Sequence, residues 1–188
     1  MLSILGSGGF ADIIDLGDET VAKVYRRAKH THDPVEDWED HDFVTARLFE
    51  AEVRAYESIQ DDSELVRFTP KYFGRLDLAG LDLGPSSTGQ PYVPRCAFRI
   101  ERLSGHDVKV RDVAGPPREE MENVLKLIAA RLPRIDVLDA SCFVPGAREA
   151  FTIIDFALWS GHSNAQFYLS TYGRLSPELR AGLTAGDP

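Results

Sequence analysis

The run Phe151-Thr-Ile-Ile-Asp155-Phe156 constrains this chain most, because it delivers an acid from a largely apolar segment into a turn. The segment before Asp155 predicts a strand of the half-buried or fully buried kind. A carboxylate at the exit of such a strand can reach a cation and phosphates. The same pattern is also typical of ordinary strand-to-turn junctions, so the rest of the chain has to decide between the two interpretations.

The segment upstream of this run has a recognisable order. Asp136 is followed five residues later by Ser141, then by the apolar Cys142-Phe143-Val144, a turn, and the strand that ends at Asp155-Phe156. This order resembles the catalytic loop and the following Asp-Phe-Gly segment of protein kinases. The chain is therefore identified as a minimal, degenerate member of the protein-kinase-like superfamily, and the amino-terminal half is expected to supply the family's other parts.

A glycine cluster, Gly6-Ser7-Gly8-Gly9-Phe10, separates two short apolar runs near the amino terminus and predicts a hairpin with Phe10 at its tip. Glycine lets backbone N–H groups approach phosphates closely, because no side chain holds the phosphates away. The spacing resembles the kinase glycine loop, with Ala11 in place of the third glycine. A plain hairpin turn is the alternative interpretation.

A strand-like alternation, Thr20-Val-Ala-Lys23-Val-Tyr25, follows the hairpin. The resemblance implies that Lys23 holds the inner phosphates of a nucleotide, whereas a lysine on an edge strand would simply face water. The family pattern is Val-Ala-x-Lys, but here Lys23 directly follows Ala22, which leaves the register open.

A helix is predicted from about Phe43 to Gln60, with Val53 and Tyr56 on its apolar face and Glu52 beside that face. By resemblance, Glu52 would pair with Lys23. Glu50 is the second candidate and would point away from the apolar face, and a surface glutamate is the alternative for either residue.

Residues 70–78 and 94–103 predict two more strands, which complete a five-stranded antiparallel sheet with one helix. The resemblance implies an α+β, protein-kinase-like fold in one domain, 1–188. Residues 1–103 would form the small lobe, and 104–188 a reduced, mainly helical lobe. The resemblance places the hinge at Glu101-Arg-Leu103-Ser-Gly105, where backbone groups would bind an adenine edge.

Charge and composition exclude several classes of partner. The net charge is −9, and residues 33–64 hold twelve acidic residues against two arginines, so nucleic acid is not an expected partner. No apolar run is long enough to span a bilayer, and no signal peptide is apparent, so a cytoplasmic protein is expected. Cys96 and Cys142 are expected to be free thiols.

Histidines in the segment 28–42 offer a different hypothesis, since His30, His32 and His41 lie among carboxylates. A metal site can be drawn from them, but no ligand spacing recurs. A solvated, charged loop is the favoured interpretation.

Two functions follow from the resemblance. In the first, the chain is a phosphotransferase for a small molecule or another acceptor: residues 6–10 cover ATP, Lys23 and Glu52 fix its phosphates, Asp155 and more weakly Ser141 hold Mg²⁺, and Asp136 orients the acceptor. In the second it is a pseudokinase that serves as a binding or scaffolding module.

The sequence leaves both functions open: the retained Asp136 and Asp155 favour the phosphotransferase, whereas the missing carboxyl-terminal helices favour the pseudokinase. The chain also departs from the family motifs at specific positions. Arg134 stands where the family has histidine, Ser141 where it has asparagine and Ala157 where it has glycine. The short tail adds a further expectation, since its crowded apolar residues predict a homodimer or a protein partner. These residues are Trp159, Phe167, Tyr168, Leu169 and Tyr172.

Overall fold

The structure, a computed structural model, describes residues 1–32, 37–132, 135–136, 142–145, 151–156, 158–159 and 161–185. Its strands are β1 Ile4–Ser7, β2 Ala11–Asp15, β3 Thr20–Arg26, β4 Tyr72–Arg75, β5 Tyr92–Glu101, β6 Val108–Lys109, β7 Ile135–Asp136, β8 Cys142–Pro145, β9 Phe151–Ile154 and β10 Leu158–Trp159. Its α-helices are α1 Trp38–Gln60, α2 Pro116–Arg131, α3 His162–Tyr172 and α4 Pro177–Ala185. The fold is α+β.

The first five strands form one antiparallel sheet, as the sequence predicted, and their order in it is β1-β2-β3-β5-β4. The central strand β3 is buried along almost its whole length. Because side chains alternate along a strand, Val21, Lys23 and Tyr25 share one face of the sheet, and Ala22 and Val24 share the other.

Both faces of this sheet are covered. The face with Val21 and Tyr25 belongs to the main core, where α1 contributes Leu48, Phe49 and Tyr56. The opposite face carries a smaller cluster of Ile14, Ala22, Val24 and Ala97. Residues from the amino terminus and from the segment between β4 and β5 pack over that cluster. The partly buried ones are Leu2, Ile4, Leu16, Leu76, Leu78, Leu83 and Tyr92.

Helix α1 begins five residues earlier than the sequence predicted. Its N-cap is Asp37, whose side chain accepts a hydrogen bond from the N–H of Glu39, and acids Glu39 and Asp40 occupy the first turn. Acidic residues at this end are stabilised by the helix dipole. The acidic stretch after Asp37 is thus the start of a helix, and the interpretation of it as a loop was wrong.

The carboxyl-terminal half packs onto the same core. Strands β6, β8 and β9 form a three-stranded sheet, and β7 pairs with β10. The main core includes Leu125 of α2, Phe151 of β9, Leu169 of α3 and Leu183 of α4. The two halves of the chain therefore share one hydrophobic interior. In the part of the chain that the structure describes, no helix has both the length and the apolar character to cross a membrane.

Helix α3 ends at Gly173, which adopts the left-handed conformation typical of a C-cap. The expectation that the tail exposes its apolar residues holds for Phe167, Tyr168 and Tyr172. It was wrong for Leu169, which faces the core. Cys96 is a buried free thiol, and burial raises its pKa to about 12.

Candidate functional site

Three charged side chains meet where the sheet, α1 and the end of β9 come together. The Lys23 ammonium lies 2.9 Å from Glu52 Oε1 and 2.7 Å from Asp155 Oδ1. The side chains of Lys23, Glu52 and Asp155 are 12%, 1% and 40% exposed. The predicted Lys23–Glu52 ion pair is confirmed, and the alternatives of a solvated lysine and a surface glutamate are wrong.

Local periodicity explains how these side chains reach each other. Lys23 lies on the sheet face that α1 covers, and Glu52 points inward from the helix beside Val53 and Tyr56. Glu50, the second candidate, instead forms a surface ion pair with Arg75. Val21 precedes Lys23 by two residues and shares its face of the sheet, while Ala22 lies on the other face. The match of Lys23 to the family pattern stays a prediction.

The site is electrostatically coupled. Burial lowers the pKa of Lys23, but the carboxylates of Asp155 and Glu52 outweigh this, so its pKa lies above the ordinary value. Burial raises the pKa of Glu52, against the opposing effect of Lys23 and of the hydroxyl of Tyr25, which donates a hydrogen bond to Glu52. Burial and the nearby Glu52 hold the pKa of Tyr25 well above its usual range. Lys23 is therefore a fixed positive charge at neutral pH.

The backbone of Asp155 is unusual. Its φ is 65°, in the left-handed region that a residue with a side chain seldom adopts. The next residue, Phe156, is fully buried, and its ring meets that of Tyr56 in α1 edge to face at 5.0 Å between centroids. Packing of Phe156 thus holds Asp155 in a strained conformation, of the kind that concentrates at functional sites.

The glycine cluster forms the turn between β1 and β2, as predicted. The N–H of Gly8 donates to the carbonyl of Ala11 at 2.9 Å and closes the turn. Gly6, Gly8 and Gly9 do not adopt a positive φ, and a Cβ atom on any of them would meet no heavy atom closer than 3.9 Å. The fold itself therefore does not require glycine at these positions, and the space over the turn is open. Ser7, in the same loop, bonds the hydroxyl of Ser87 at 2.7 Å.

The predicted hinge is only partly suited to bind an adenine edge. The N–H of Glu101 donates to the carbonyl of Lys71, and the Glu101 carboxylate accepts from the N–H of Lys71. The N–H of Arg102 donates to the carbonyl of Glu19. The backbone N–H groups of Glu101 and Arg102 are therefore already used, and the next residue, Leu103, is half-buried.

The remaining predicted residues belong to the carboxyl-terminal half. Asp136 lies in β7, paired with Leu158 of β10. Ser141, Arg134 and Ala157 lie outside the described residues. The roles given to Asp136 and Ser141 remain predictions.

A histidine cluster, formed by His30, His41 and His162, lies beside the glycine loop, and the sequence interpretation considered the first two residues together but not His162. The N–H of His30 donates to His41 Nδ1 at 3.1 Å, and the His30 ring contacts Thr45 Oγ1 at 2.8 Å and His162 Nε2 at 3.3 Å. The Phe10 ring stacks on His30 at 4.8 Å.

All three members of the histidine cluster are buried, so the solvated-loop interpretation was wrong for His30 and His41 and holds for the exposed His32. Within the described ranges, no group of three or more histidine, cysteine, aspartate or glutamate side chains is arranged to hold a metal ion. His162 is 132 residues from His30, and no local pattern relates the two.

Comparison with protein-family models gives no match for this chain, and comparison with curated proteins gives none either. The contacts among Lys23, Glu52 and Asp155 are therefore the strongest indication of its function.

Proposed function

We propose that this chain is a protein-kinase-like phosphotransferase that binds ATP with Mg²⁺ and acts on a small molecule or another acceptor. The position of Lys23 is the observation that carries the proposal. Its ammonium forms an ion pair with the buried Glu52 on the core side and another with the partly exposed Asp155 on the solvent side. A fixed cation beside a partly exposed carboxylate matches what a nucleotide polyphosphate and its metal ion require.

The glycine loop supports the same proposal. Because its glycines are not needed for the turn, close approach by a ligand is the remaining physical reason for small residues there. Lys23 would offset the charge of the inner phosphates, and the open loop would cover them.

The donor set of Asp155 fits a hard cation. The bond to Lys23 uses Oδ1, and a carboxylate offers a second oxygen to Mg²⁺. Mg²⁺, when bound, would neutralise phosphate charge. Asp136 would orient the acceptor hydroxyl and receive its proton.

The test is a calorimetric titration with ATP in saturating Mg²⁺, combined with an assay for phosphate transfer or ATP hydrolysis. We expect Asp155→Ala to abolish metal-dependent binding, Ser141→Ala to change it little, and Asp136→Ala to reduce turnover with hardly any effect on affinity. Asp112→Ala, at an exposed position, is the control. If the unmodified protein binds no ATP with either Mg²⁺ or Mn²⁺, the catalytic proposal fails.

A pseudokinase is the second candidate. The specific observation in its favour is Ser141, whose neutral hydroxyl is a poorer metal ligand than the amide oxygen that the kinase pattern has there. ATP binding without any phosphate transfer or hydrolysis would favour this candidate.

The exposed aromatic stripe on α3 supports a protein contact in either case. Phe167 and Tyr172 are 61% and 63% exposed, and Tyr168 contacts both rings. We expect a second copy of the chain or a partner protein to cover this stripe. Sedimentation at increasing concentration, compared with the double variant Phe167→Ser and Tyr172→Ser, measures self-association. An unchanged monomer mass for both would exclude the homodimer.

A further inference from the structure

A buried ion pair lies behind the glycine loop, separate from the site at Lys23. Arg26 at the end of β3 contacts Asp12 of β2 at 3.0 Å, and both side chains are almost fully buried. Asp12 also accepts hydrogen bonds from the N–H and the hydroxyl of Ser87 and from the hydroxyl of Tyr92. Burial raises the pKa of Asp12, but the bonds from Ser87 and the charge of Arg26 outweigh this and lower it, so Asp12 is ionised.

Arg26 bonds three consecutive carbonyls of the loop. Its guanidinium donates to the carbonyl of Gly8 and, at 3.3 Å, to that of Gly9. Its backbone N–H donates to the carbonyl of Phe10 at 2.9 Å. The tip of the glycine loop is therefore held with its carbonyls turned toward Arg26.

The direction of the carbonyls fixes the direction of the N–H groups. In a trans peptide the C=O of one residue and the N–H of the next point in opposite directions. Since the Gly8 and Gly9 carbonyls face Arg26, the N–H groups of Gly9 and Phe10 face away from it. All described peptide bonds are trans.

The sheet register shows toward which face of the sheet these N–H groups point. Asp12, the partner of Arg26, lies directly opposite Val24, and Val24 belongs to the cluster on the face away from α1. Lys23 lies on the other face. Facing away from Arg26 thus means facing the side of the sheet on which Lys23 lies.

We infer that Arg26 is a positioning residue for phosphate binding. Its hydrogen bonds keep the loop carbonyls on its own side of the sheet, so that the N–H groups of Gly9 and Phe10 and the ammonium of Lys23 can bind the same polyphosphate. Neighbouring backbone N–H groups directed to one point form an anion site. This inference rests on the proposed function and adds to it a residue that does not touch the ligand.

Structural needs alone account poorly for this arrangement. The bond between Gly8 and Ala11 already closes the turn. A buried ion pair carries a large desolvation cost and adds little net stability. Only the planar guanidinium has enough fixed donors to reach two carbonyls and a carboxylate together, so lysine should not replace Arg26.

The experiment measures dissociation constants for ATP, tripolyphosphate and adenosine, each with Mg²⁺, in Arg26→Lys and Arg26→Gln. Arg27→Gln is the matched control, since Arg27 is the next residue and pairs with Asp42 nearer the surface. We expect both Arg26 variants to bind ATP and tripolyphosphate about tenfold more weakly, the equivalent of one charge-assisted hydrogen bond, with unchanged affinity for adenosine. Arg27→Gln should bind all three ligands as the unmodified protein does.

The outcomes separate this inference from the proposed function. If the unmodified protein binds ATP, and the Arg26 variants bind it as tightly as Arg27→Gln does or lose adenosine in the same proportion, only the role of Arg26 is overturned. If the unmodified protein binds neither ATP nor tripolyphosphate, both proposals fall.

A measurement on the unmodified protein covers the case in which the Arg26 variants do not fold. In ¹H–¹⁵N spectra, saturating tripolyphosphate should shift the amide signals of Gly9 and Phe10 downfield more than that of Gly17, which lies in a different turn. Unchanged Gly9 and Phe10 signals at saturation would overturn the inference.

Discussion

At the scale of single residues, the two carboxylates that hold Lys23 differ in their access to water. Glu52 is enclosed by the core and also accepts a hydrogen bond from Tyr25, whereas Asp155 is partly open. A buried charge cannot exchange its partner for solvent without a large cost, but an exposed one can. Glu52 is therefore the permanent partner of Lys23, and the contact of Asp155 with Lys23 is the one that can be exchanged more easily for solvent or for another anion.

The first prediction concerns Lys23→Met. This change leaves the Glu52 carboxylate buried without its cation, which costs about 3–5 kcal/mol of unfolding free energy at neutral pH. Burial already raises the pKa of Glu52 in the folded state, and loss of Lys23 removes the larger of the two effects that oppose it. The folded variant then favours the protonated acid, so this contribution to its stability is fully present below the ordinary pKa of glutamate and is lost as the pH rises from that value through the raised pKa of the folded state.

Chemical denaturation at pH 5 and pH 7 tests the direction of this pH dependence. The cost of Lys23→Met, relative to the unmodified protein, should be smaller at pH 5. Lys71→Met, which removes an exposed lysine, should cost little and equally at both pH values. An equal cost for Lys23→Met at the two pH values would contradict the assignment of Glu52 as a buried, charged partner.

The second prediction uses the backbone of Asp155. Glycine adopts a positive φ without strain and alanine does not, so Asp155→Gly should be more stable than Asp155→Ala by about 1 kcal/mol. Glu57, exposed in α1, is a control with the opposite sign, because glycine within a helix is about 1 kcal/mol less stable than alanine. Thermal unfolding of the four variants measures both differences. A less stable Asp155→Gly would show that the φ of 65° carries no strain.

Single residues also mark the limit of sequence interpretation. Lys23 and Glu52 could be predicted because each shows in a local period, of two residues in a strand and of about 3.6 in a helix. Asp12 and Arg26 carried a weaker signal, since each is a charged residue in a strand whose apolar residues are mostly buried. Their connection to the glycine loop depends on strand register, which a single sequence does not determine.

At the scale of elements, the histidine cluster joins three segments: the chain after β3, the start of α1, and the start of α3. Its contacts span both halves of the chain, which explains why composition suggested a solvated loop there. The rings of His41 and His162 and the hydroxyl of Thr45 face His30. Burial lowers the pKa of His41; Lys29 adds to this effect, and Asp40, Asp42 and Asp37 oppose it without outweighing it.

The third prediction is an acid sensitivity that originates in His30. Burial, with smaller effects from His162 and His41, lowers its pKa from 6.5 to about 3. The folded state therefore favours the neutral ring, and the unfolded state takes up a proton below pH 6.5. The stability from this group is present above pH 6.5 and is lost between pH 6.5 and pH 3, by at most about 1.4 kcal/mol per pH unit.

The variant His30→Gln tests whether His30 is the source of this loss of stability with falling pH. It should have a lower free energy of unfolding at pH 7, because the contacts to Thr45 and His162 are disturbed. Between pH 6.5 and pH 4.5 it should lose less stability per pH unit than the unmodified protein. His32→Gln, at an exposed position, should keep the original slope. If His30→Gln keeps it as well, the sensitivity belongs to other groups.

At the scale of the whole molecule, hydrogen bonds and an ion pair connect the carboxyl-terminal segment to the start of α1. Asp40 is buried and accepts hydrogen bonds from the N–H of Leu175 and, through its other oxygen, from Arg180. Arg180 also contacts Glu39 and lies over the ring of Phe43. The five-stranded sheet and α1 could be predicted from local patterns, but this attachment could not, since its partners are about 135–140 residues apart and each is ordinary in its own surroundings.

The last prediction is that Arg180→Met weakens the whole fold and not α4 alone. The variant leaves the buried Asp40 without its guanidinium partner, at a cost of about 2–4 kcal/mol. Because one core extends from Ala11 to Leu183, α1 and α4 should open together. Hydrogen exchange followed by mass spectrometry should then show faster exchange by a similar factor in the slowest amides of both helices. Arg174→Met, at an exposed position two residues before Ser176, should leave both rates unchanged. Faster exchange confined to α4 would mean that the carboxyl-terminal segment unfolds by itself and that α1 keeps Glu52 on Lys23 without it.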